Sequence, residues 1–394
     1  MNKKISQKMF KVALLSISLL LTSSGSIAIT VSKMQETFAD RGPTAVEALV
    51  TASNITVMIF VLLSAFLVRM LGTKKTVLLG LFLAGAAGVV PMFSADYTIV
   101  YVSRLVLGAG LGMFNSLAVS LINEFYNGDE RNKMLGYQSA VQSIGQTITT
   151  FIAGILVTYD WHYAYGIYFL AIVSFLLFFV YVPDVENDAA ADTNEVGKQT
   201  VNRFVILSSI ALFFSFGFLM AIFLKASTLV QEANFANPAF LGTALSLFTL
   251  VGFLGNFLYG HVVKVTKHLT LVFSYAIMGI GFLIVSFAPN MAVFTAGLLI
   301  SGLGSSAFLP YSFGTIMEKA PKNSANLAVS IAMVGTNLGS WISPYLLSFV
   351  GSIFNNHTAQ FSLLFSGASF LAFAVLYLLI SGTFKKEKSA AEAA

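Results

Sequence analysis

Charged side chains inside long apolar stretches are the residues of this sequence best placed to do chemistry. Arg104 lies about seven positions, or roughly 10 Å along a helix, into an apolar run that begins near residue 97. A charge in such surroundings is costly unless it faces water, a cavity or a partner. Two interpretations of Arg104 stay open. It either lines a polar cavity, where it binds an anionic group or helps to couple protons, or forms a fixed ion pair with Glu36, Asp40 or Glu47.

A second cation, Lys225, lies near the end of another apolar run. One interpretation is that its flexible stem carries the ammonium group to a membrane interface. The alternative is that Lys225 points inward and acts together with Arg104 on one cavity.

Amide side chains form the next candidate set. Gln138, Gln142 and Gln146 are spaced four residues apart and therefore lie on one face of a helix. Lipid offers amides no partners, so this face is expected to meet protein or water. Hydrogen bonding between helices and contact with a polar solute are equally open alternatives. Asn54 is a similar single case. The candidates for contact with a solute or for coupling are Arg104, Asn115, Gln142, Gln146, Lys225, Asn256, Tyr311 and Asn337.

Acidic residues are absent from the middle of every apolar run. Glu36, Asp40 and Glu47 lie at one end of such runs, and Glu124 and Glu318 lie at the other end. A proton site must therefore use an acid near an end, and Glu47 is the candidate. With two cations and no deep acid, the field in a shared cavity favours anionic or neutral solutes over permanent cations.

Several other kinds of chemistry are excluded. The chain has no Cys, which removes thiolate nucleophiles and thiolate metal sites. His261 and His268 have no further ligands at metal spacing. The glycines at 108, 110 and 112 imitate a dinucleotide-binding loop, but no strand precedes them. The sequence predicts no metal, no cofactor and no enzymatic activity.

The composition shows which elements hold these residues. Of 394 residues, 57% are hydrophobic and only 10% are charged, and the mean hydropathy is +0.82. A soluble domain carries about 25% charged residues, whereas crossing a bilayer takes about 20 apolar residues per helix. We predict an all-α membrane protein with twelve spans at residues 10–32, 45–68, 76–94, 97–123, 134–158, 162–182, 203–230, 238–263, 269–288, 290–317, 324–350 and 359–381.

Basic residues indicate the topology. Most of the 22 Lys and Arg residues fall in loops on one side of the predicted membrane, together with both termini. Positive charge favours the cytoplasmic side, so both termini are expected there. This distribution accounts for the net charge of +5 without a nucleic-acid partner. The first apolar run is accordingly interpreted as a span, since cleavage as a signal peptide would place the basic loops outside.

The spans fall into two sets of six. An acidic stretch at 183–202 is predicted to be a cytoplasmic linker between an N-terminal bundle, 1–182, and a C-terminal bundle, 203–394. Gly108 in span four matches Gly302 in span ten, and Gly145 in span five matches Gly335 in span eleven. Repeated halves of this kind predict a pseudo-symmetric pair of bundles around a central cavity near the membrane midplane.

Two motifs carry a family resemblance over essentially the whole chain. Residues 104–112 read Arg-x-x-x-Gly-x-Gly-x-Gly, and the loop after the second span holds Arg69, Gly72, Lys74 and Lys75. Both resemble the major facilitator superfamily, in which this fourth-helix motif recurs and the loop acts as a gate latch. Arg69 stands where the family has an acid.

A third motif lies in span five. The stretch 145–154 is similar to the fifth helix of bacterial drug–proton antiporters, although it lacks their Pro. The resemblance implies a monomeric carrier that works by alternating access in the cytoplasmic membrane, with a small-molecule substrate, the lipid bilayer and protons as partners. Proton-coupled efflux of amphipathic compounds is the main expectation, and a carrier or exchanger of organic anions such as carboxylates is the alternative.

Overall fold

All regular elements are helices in the computed structural model, which describes residues 3–184, 200–235 and 238–392. Several short 3₁₀ turns join them. The first half contains α1 (Lys3–Ser16), α2 (Val31–Thr37), α3 (Pro43–Leu71), α4 (Thr73–Val89), α5 (Tyr97–Asn115), α6 (Leu117–Phe125), α7 (Gly128–Leu156), α8 (Trp161–Ala164) and α9 (Leu170–Tyr181). The second half contains α10 (Arg203–Glu232), α11 (Pro238–Thr266), α12 (Thr270–Ser286), α13 (Met291–Lys319), α14 (Ala325–Ile353) and α15 (Ala359–Glu392).

These helices form twelve spans, six in each half, as the sequence predicts. Three spans are composite: α1 with α2, α5 with α6, and α8 with α9. By length and apolarity alone, eight stretches of the described residues qualify as spans, or nine with the bent α1–α2 pair. The stretch 240–286 contains both α11 and α12, while α7 and α14 are not among those that qualify. Polar residues distributed along α7 and α14 explain this, and both helices line the central cavity described below.

The first span differs from the single continuous helix predicted at 10–32. It bends by 43° between Leu20 and Ser23, and 3₁₀ turns occupy Ile17–Leu20 and Ser23–Thr30. The Ser23 hydroxyl donates to the Leu20 carbonyl at 2.7 Å. Hydroxyls that bond to nearby carbonyls in this way compete with the regular helical ladder. The bend leaves non-helical backbone at membrane depth, which membrane proteins tolerate where it is buried or lines a cavity.

Matched glycines confirm the internal repeat. A Cβ atom added to Gly145 would lie 2.5 Å from the Leu19 carbonyl oxygen, and one added to Gly335 would lie 2.5 Å from the Ser209 carbonyl oxygen. Span five thus packs on span one as span eleven packs on span seven. Only glycine permits such an approach of two helix backbones.

The connection between the halves is only partly visible. The linker predicted at 183–202 falls mainly on residues 185–199, which lie outside the described part of the chain. The second half begins with a capped helix, because the Asn202 side chain accepts from the Val205 amide at 2.9 Å. Asn202 also donates to the Lys319 carbonyl at 2.7 Å, so the start of α10 lies beside the end of α13.

The molecule has two opposite ends, the terminal face and the distal face. The terminal face is the end where α1, α7 and α10 begin. There the Lys11 ammonium pairs with Glu130 at 2.7 Å, which joins α1 to the start of α7. The distal face is the opposite end, where α2 meets α3 and α10 ends.

Candidate functional site

A cavity of 660 Å³ lies between the two halves. Its wall comes from the bend of the first span and from α3, α5 and α7 on one side, and from α10, α11, α13 and α14 on the other. Five of the eight solute-contact candidates from the sequence lie together in this wall. They are Asn115, Gln142, Gln146, Asn256 and Asn337.

The first half supplies what we call the amide wall: Asn54, Asn115, Gln142 and Gln146. The Gln142 side-chain oxygen accepts from Gln138 at 3.3 Å, so its NH₂ group remains for other partners. The other three amides form no hydrogen bond with any residue that the structure describes. These three amides are half-buried, and their polar groups are available to a ligand or to water.

The second half supplies what we call the phenylalanine wall: Phe216, Phe223, Phe248, Phe308 and Phe313. Sequence reasoning missed these residues, since 37 phenylalanines spread along the chain give no signal for any five. The rings of Phe223 and Phe248 pack edge to face with centroids 5.7 Å apart. Those of Phe216 and Phe308 are 6.2 Å apart.

Polar groups on the second-half side mostly bond to their own helix. The Asn337 amide and the Thr336 hydroxyl both donate to the Met333 carbonyl, at 2.9 and 2.8 Å. The Ser306 hydroxyl donates to Leu303 at 2.7 Å. Asn256 is the exception, with no hydrogen-bond partner among the described residues. The donors on this side are therefore largely satisfied without a ligand.

The cavity wall carries no ionisable side chain. Among the described residues, none of its members is Asp, Glu, Lys, Arg or His. Arg104 and Lys225, for which the cavity was one of two interpretations, lie outside its wall. Tyr311 also lies outside it, half-buried beside Pro310, which does line the cavity.

Arg104 is fully buried and reaches the cavity wall only through the backbone of Ser24. Its Nε donates to the Leu49 carbonyl at 3.2 Å, and its two terminal nitrogens donate to the Tyr168 hydroxyl at 2.7 Å and to the Ser24 carbonyl at 2.9 Å. The guanidinium also lies over the rings of Tyr165 and Tyr168, at 5.9 and 5.6 Å from their centroids. Arg104 therefore ties the bent first span to α3 and to the turn before α9.

The structure gives Arg104 neither of the positions that the sequence left open. Its side chain is not in the cavity wall, and the acids suggested as partners are engaged elsewhere. Glu36 pairs with Lys33 at 3.3 Å, and Glu47 pairs with Lys225. Backbone carbonyls and tyrosine rings satisfy the guanidinium instead, because the break in the first span frees a carbonyl that points at it. Sequence patterns give no sign of such partners.

Lys225 and Glu47 form a buried ion pair between the halves. The ammonium lies 2.6 Å from one carboxylate oxygen, and the residues are 9% and 1% exposed. The interface position considered for Lys225 is thus wrong, since a carboxylate in α3 holds the ammonium inside the protein. The second carboxylate oxygen of Glu47 has no partner among the described residues. Glu47, the candidate proton site, thus faces the other half of the molecule.

Further contacts close the cavity on the distal side. Gln231 donates to Glu36 at 2.5 Å, and Thr228 donates to Gln35 at 3.3 Å; each contact joins the two halves. Toward the terminal face the wall is accessible, and Met333 is 45% exposed. The distal contacts between the halves close the cavity there, and the exposure of Met333 indicates that the cavity opens toward the terminal face.

Comparison with known proteins establishes the family. The sequence model of the Major Facilitator Superfamily matches residues 13–237 and again residues 207–394. The chain belongs to the Major Facilitator Superfamily. It is therefore a transporter of the multi-pass membrane type and not an enzyme.

Individual relatives are more distant. The chain is 26% identical over 288 residues to a nitrite extrusion protein of Bacillus subtilis (strain 168), covering 70% of this chain and 69% of that one. Its fold resembles a D-xylose–proton symporter (TM-score 0.72, 17% identity, 95% and 97% coverage). It also resembles the inward open xylose transporter XylE from E. coli (0.73, 14%, 95% and 96%) and the peptide transporter POT in complex with sulfate (0.74, 15%, 95% and 94%).

The loop that carries the superfamily resemblance joins α3 to α4 on the terminal face. Gly72 ends α3 with φ of 85°, a conformation that favours glycine. Lys74 lies over the Phe179 ring at 5.6 Å, while Arg69 and Lys75 are exposed. In this member of the superfamily, a ring contact with α9 thus holds one side of the loop.

Proposed function

We propose that this protein exports small amphipathic compounds in exchange for protons, with the Glu47–Lys225 pair as the coupling site. The observation that carries this proposal is the position of the pair. The pair is buried, it joins the two halves, and it lies on the side where the cavity is closed. Opening the cavity toward the distal face separates the halves and must therefore break the pair.

Protonation changes the cost of that step. Separating a buried ion pair leaves charges without partners, which costs several kcal/mol. A proton on Glu47 removes the carboxylate charge, so separation then leaves only the Lys225 ammonium charged, and water that enters as the distal side opens can solvate it. Lys225 is the charged group that acts on Glu47 among the described residues. A supply of protons at the distal face therefore favours the distal-open state, and re-forming the ion pair releases the proton.

One face of α3 connects this pair to the cavity. Glu47, Thr51 and Asn54 follow at helical spacing and lie on one face, and the latter two line the cavity. The Thr51 hydroxyl also donates across the halves to the Trp341 carbonyl at 3.1 Å. Opening of the distal side and rearrangement of the cavity wall are thus linked through one helix.

The direction follows from the proposed orientation. We place the protein in the cytoplasmic membrane with the terminal face, which carries most of the basic residues, in the cytoplasm. The state seen here then loads solute from the cytoplasm. Solute leaves at the outer surface, where Glu47 takes up a proton, and the protein acts as a monomer.

Proteoliposomes with an internal pH indicator test the coupling. Addition of an amphipathic solute from a screening panel is expected to produce proton flux for the native chain and no flux for Glu47→Gln. Glu36→Gln is the matched control, because Glu36 is an exposed acid at the same face and should retain flux. Undiminished flux in Glu47→Gln contradicts the proposal.

Export or exchange of a small anion, including an organic carboxylate, is a second candidate. The nitrite extrusion relative favours it, and amide NH₂ groups in the cavity are suitable donors to an anion. Counterflow of nitrite or of a simple carboxylate in the same vesicles separates the two candidates. Saturable anion counterflow supports the anion carrier. If uncharged solutes are transported and anion counterflow is absent, the exporter of amphipathic compounds is supported.

A further inference from the structure

The two walls of the cavity differ in chemistry, and we infer from this that the solute is uncharged and binds in one orientation. A hydrogen-bond-accepting group of the solute meets the amide wall, and an apolar, aromatic portion meets the phenylalanine wall. This inference rests on the proposed function, because it specifies the solute that the transporter carries. It commits to one class of compound: uncharged, aromatic, with a carbonyl or a similar acceptor at one end.

The amide wall presents side-chain amides that lack protein partners, and each of them offers NH₂ donors to a ligand. Asn54, Asn115 and Gln146 have no hydrogen-bond partner among the described residues. The oxygen of Gln142 is occupied by Gln138, which leaves its NH₂ group as the free end. A polar group removed from water without a partner is costly. A ligand with an acceptor aimed at this side repays that cost, while an apolar group there does not.

Arg104 adds a positive charge on the first-half side of the cavity. Its guanidinium donates to the carbonyl of Ser24, and Ser24 itself lines the cavity. In the described part of the chain, Arg104 forms no ion pair with a carboxylate. Its positive charge is therefore met by neutral dipoles and rings alone and is not neutralised by an anion. Such a field attracts the negative end of a solute dipole and repels a cation.

The opposite wall suits a ring. Phe223 and Phe248 already form an edge-to-face pair, and aromatic rings prefer such offset or edge contacts with one another. No aromatic residue of the first half lines the cavity among the described residues. A ring in the solute thus finds partners on one side only, and this fixes the orientation.

No charged side chain among the described residues lines the cavity. The cavity wall therefore favours neutral solutes over ionic ones. A carboxylate that enters the cavity exchanges its water for neutral amides, since Arg104 reaches the cavity only through the backbone of Ser24. A cation meets neither a carboxylate nor a favourable field. An uncharged compound avoids both penalties. The volume of 660 Å³ lies within the range of roughly 300–1,000 Å³ that is usual for drug-sized ligands.

Thermal unfolding of the purified full chain with three compounds of one shape tests the charge preference. The compounds are 2-naphthamide, which is neutral, 2-naphthoate, an anion, and (2-naphthylmethyl)trimethylammonium, a cation. A ligand that binds the native state raises the unfolding temperature. We expect only 2-naphthamide to raise it. An equal or larger rise with either ion, or no rise with any of the three, overturns the inference.

Two wall variants test the orientation with 2-naphthamide and with 2-ethylnaphthalene, which lacks the acceptor. Gln146→Leu is expected to weaken 2-naphthamide binding on the order of tenfold and to leave 2-ethylnaphthalene unaffected. Phe248→Leu should weaken both compounds. Phe257→Leu is the control, because Phe257 lies on the same helix at 69% exposure and outside the cavity wall. Equal losses for both compounds in Gln146→Leu contradict the orientation.

These measurements are separable from those on coupling. Binding is measured without a proton gradient. The binding result therefore holds whether Glu47→Gln loses or retains proton flux. Conversely, equal binding of the neutral and the charged compounds overturns the inference, and the flux experiment still tests the coupling. If a wall variant is not recovered folded, the three compounds on the native chain decide the question.

Discussion

Arg104 and Lys225 are both buried cations in membrane-spanning helices, yet they differ in what holds them. Arg104 donates to two backbone carbonyls and a tyrosine, all in its own half. Lys225 pairs with the carboxylate of Glu47 in the opposite half. The comparison shows that burial alone does not tell a functional charge from a structural one. Whether the partner lies in the same half decides whether a contact survives when the halves separate.

The chemistry of the partners also distinguishes Arg104, as a structural charge, from Lys225, as a functional one. Neutral partners cannot release a cation by taking up a proton in the physiological range, so the Arg104 contacts have no switch. A carboxylate partner can be neutralised, so the Lys225 contact has one. Arg104 is therefore interpreted as part of the rigid N-terminal bundle, and Lys225 as part of the moving seam.

The largest effect is expected for Lys225→Met. This change leaves the Glu47 carboxylate buried without a partner, which costs about 3–5 kcal/mol in the closed-distal state. We expect solute-driven proton flux to be lost and the unfolding temperature to fall. The measurement is thermal unfolding of the purified chain together with flux in proteoliposomes.

The double variant Lys225→Met/Glu47→Gln sharpens this test. Removing both charges together restores most of the stability, because no uncompensated ion remains, while proton flux stays absent. A double variant that is no more stable than Lys225→Met would show that the pair contributes through packing and not through charge.

A smaller effect is expected for Arg104→Met. It leaves the carbonyl of Ser24 and the hydroxyl of Tyr168 without this donor, at about 3 kcal/mol in total. Because these contacts lie within one half, flux per folded molecule is expected to fall far less than in Lys225→Met. Arg104→Lys should recover part of the stability only, since an ammonium does not reproduce the fork of three donors. Complete loss of flux in folded Arg104→Met would contradict the structural role given to Arg104.

The fold was predictable because it depends on patterns that repeat. Apolar runs and basic loops define twelve spans, and matched glycines such as Gly145 and Gly335 define the repeat. The bend in the first span was not predictable. It depends on serine hydroxyls that turn back to their own helix and on a guanidinium from another helix, and neither leaves a periodic signal.

The site was predictable only for residues that are unusual in lipid. Amides such as Gln146 and Asn256 are rare enough in apolar helices to indicate a cavity, and they lie in its wall. Phenylalanine is common throughout the chain, so the five that form the phenylalanine wall were not distinguished. The Glu47–Lys225 pair joins residues that are distant in sequence, and a single sequence does not show which distant charges meet.

Glycine substitutions give a second comparison, between a moving and a static helix contact. Gly242 faces Gly154 across the halves, where an added Cβ would lie 2.6 Å from a backbone carbon. Gly110 faces Gly80 within the first half, with an added Cβ 2.5 Å from the Gly80 carbonyl oxygen. Overpacking typically costs about 1–3 kcal/mol. Gly110→Ala should therefore lower stability, whereas Gly242→Ala should shift the protein toward the distal-open state.

Accessibility of a single cysteine distinguishes these outcomes, since the native chain has none. With Ser227→Cys as the reporter at the distal seam, where Ser227 is buried, Gly242→Ala is expected to speed its alkylation from the distal side. Gly110→Ala should lower the unfolding temperature and leave the alkylation rate unchanged. Faster alkylation in both variants would mean that both glycine contacts affect opening of the distal side.

The smallest effect is expected for Glu36→Gln, although Glu36 also contacts the other half. Its carboxylate is about half-exposed and pairs with Lys33 in its own helix, and exposed pairs contribute less than about 1 kcal/mol. Glutamine also keeps an oxygen that accepts from Gln231. We expect stability and proton flux close to those of the native chain, with little dependence on salt. A large loss of flux would show that position between the halves is sufficient for coupling and that burial of the Glu47–Lys225 pair is not what matters.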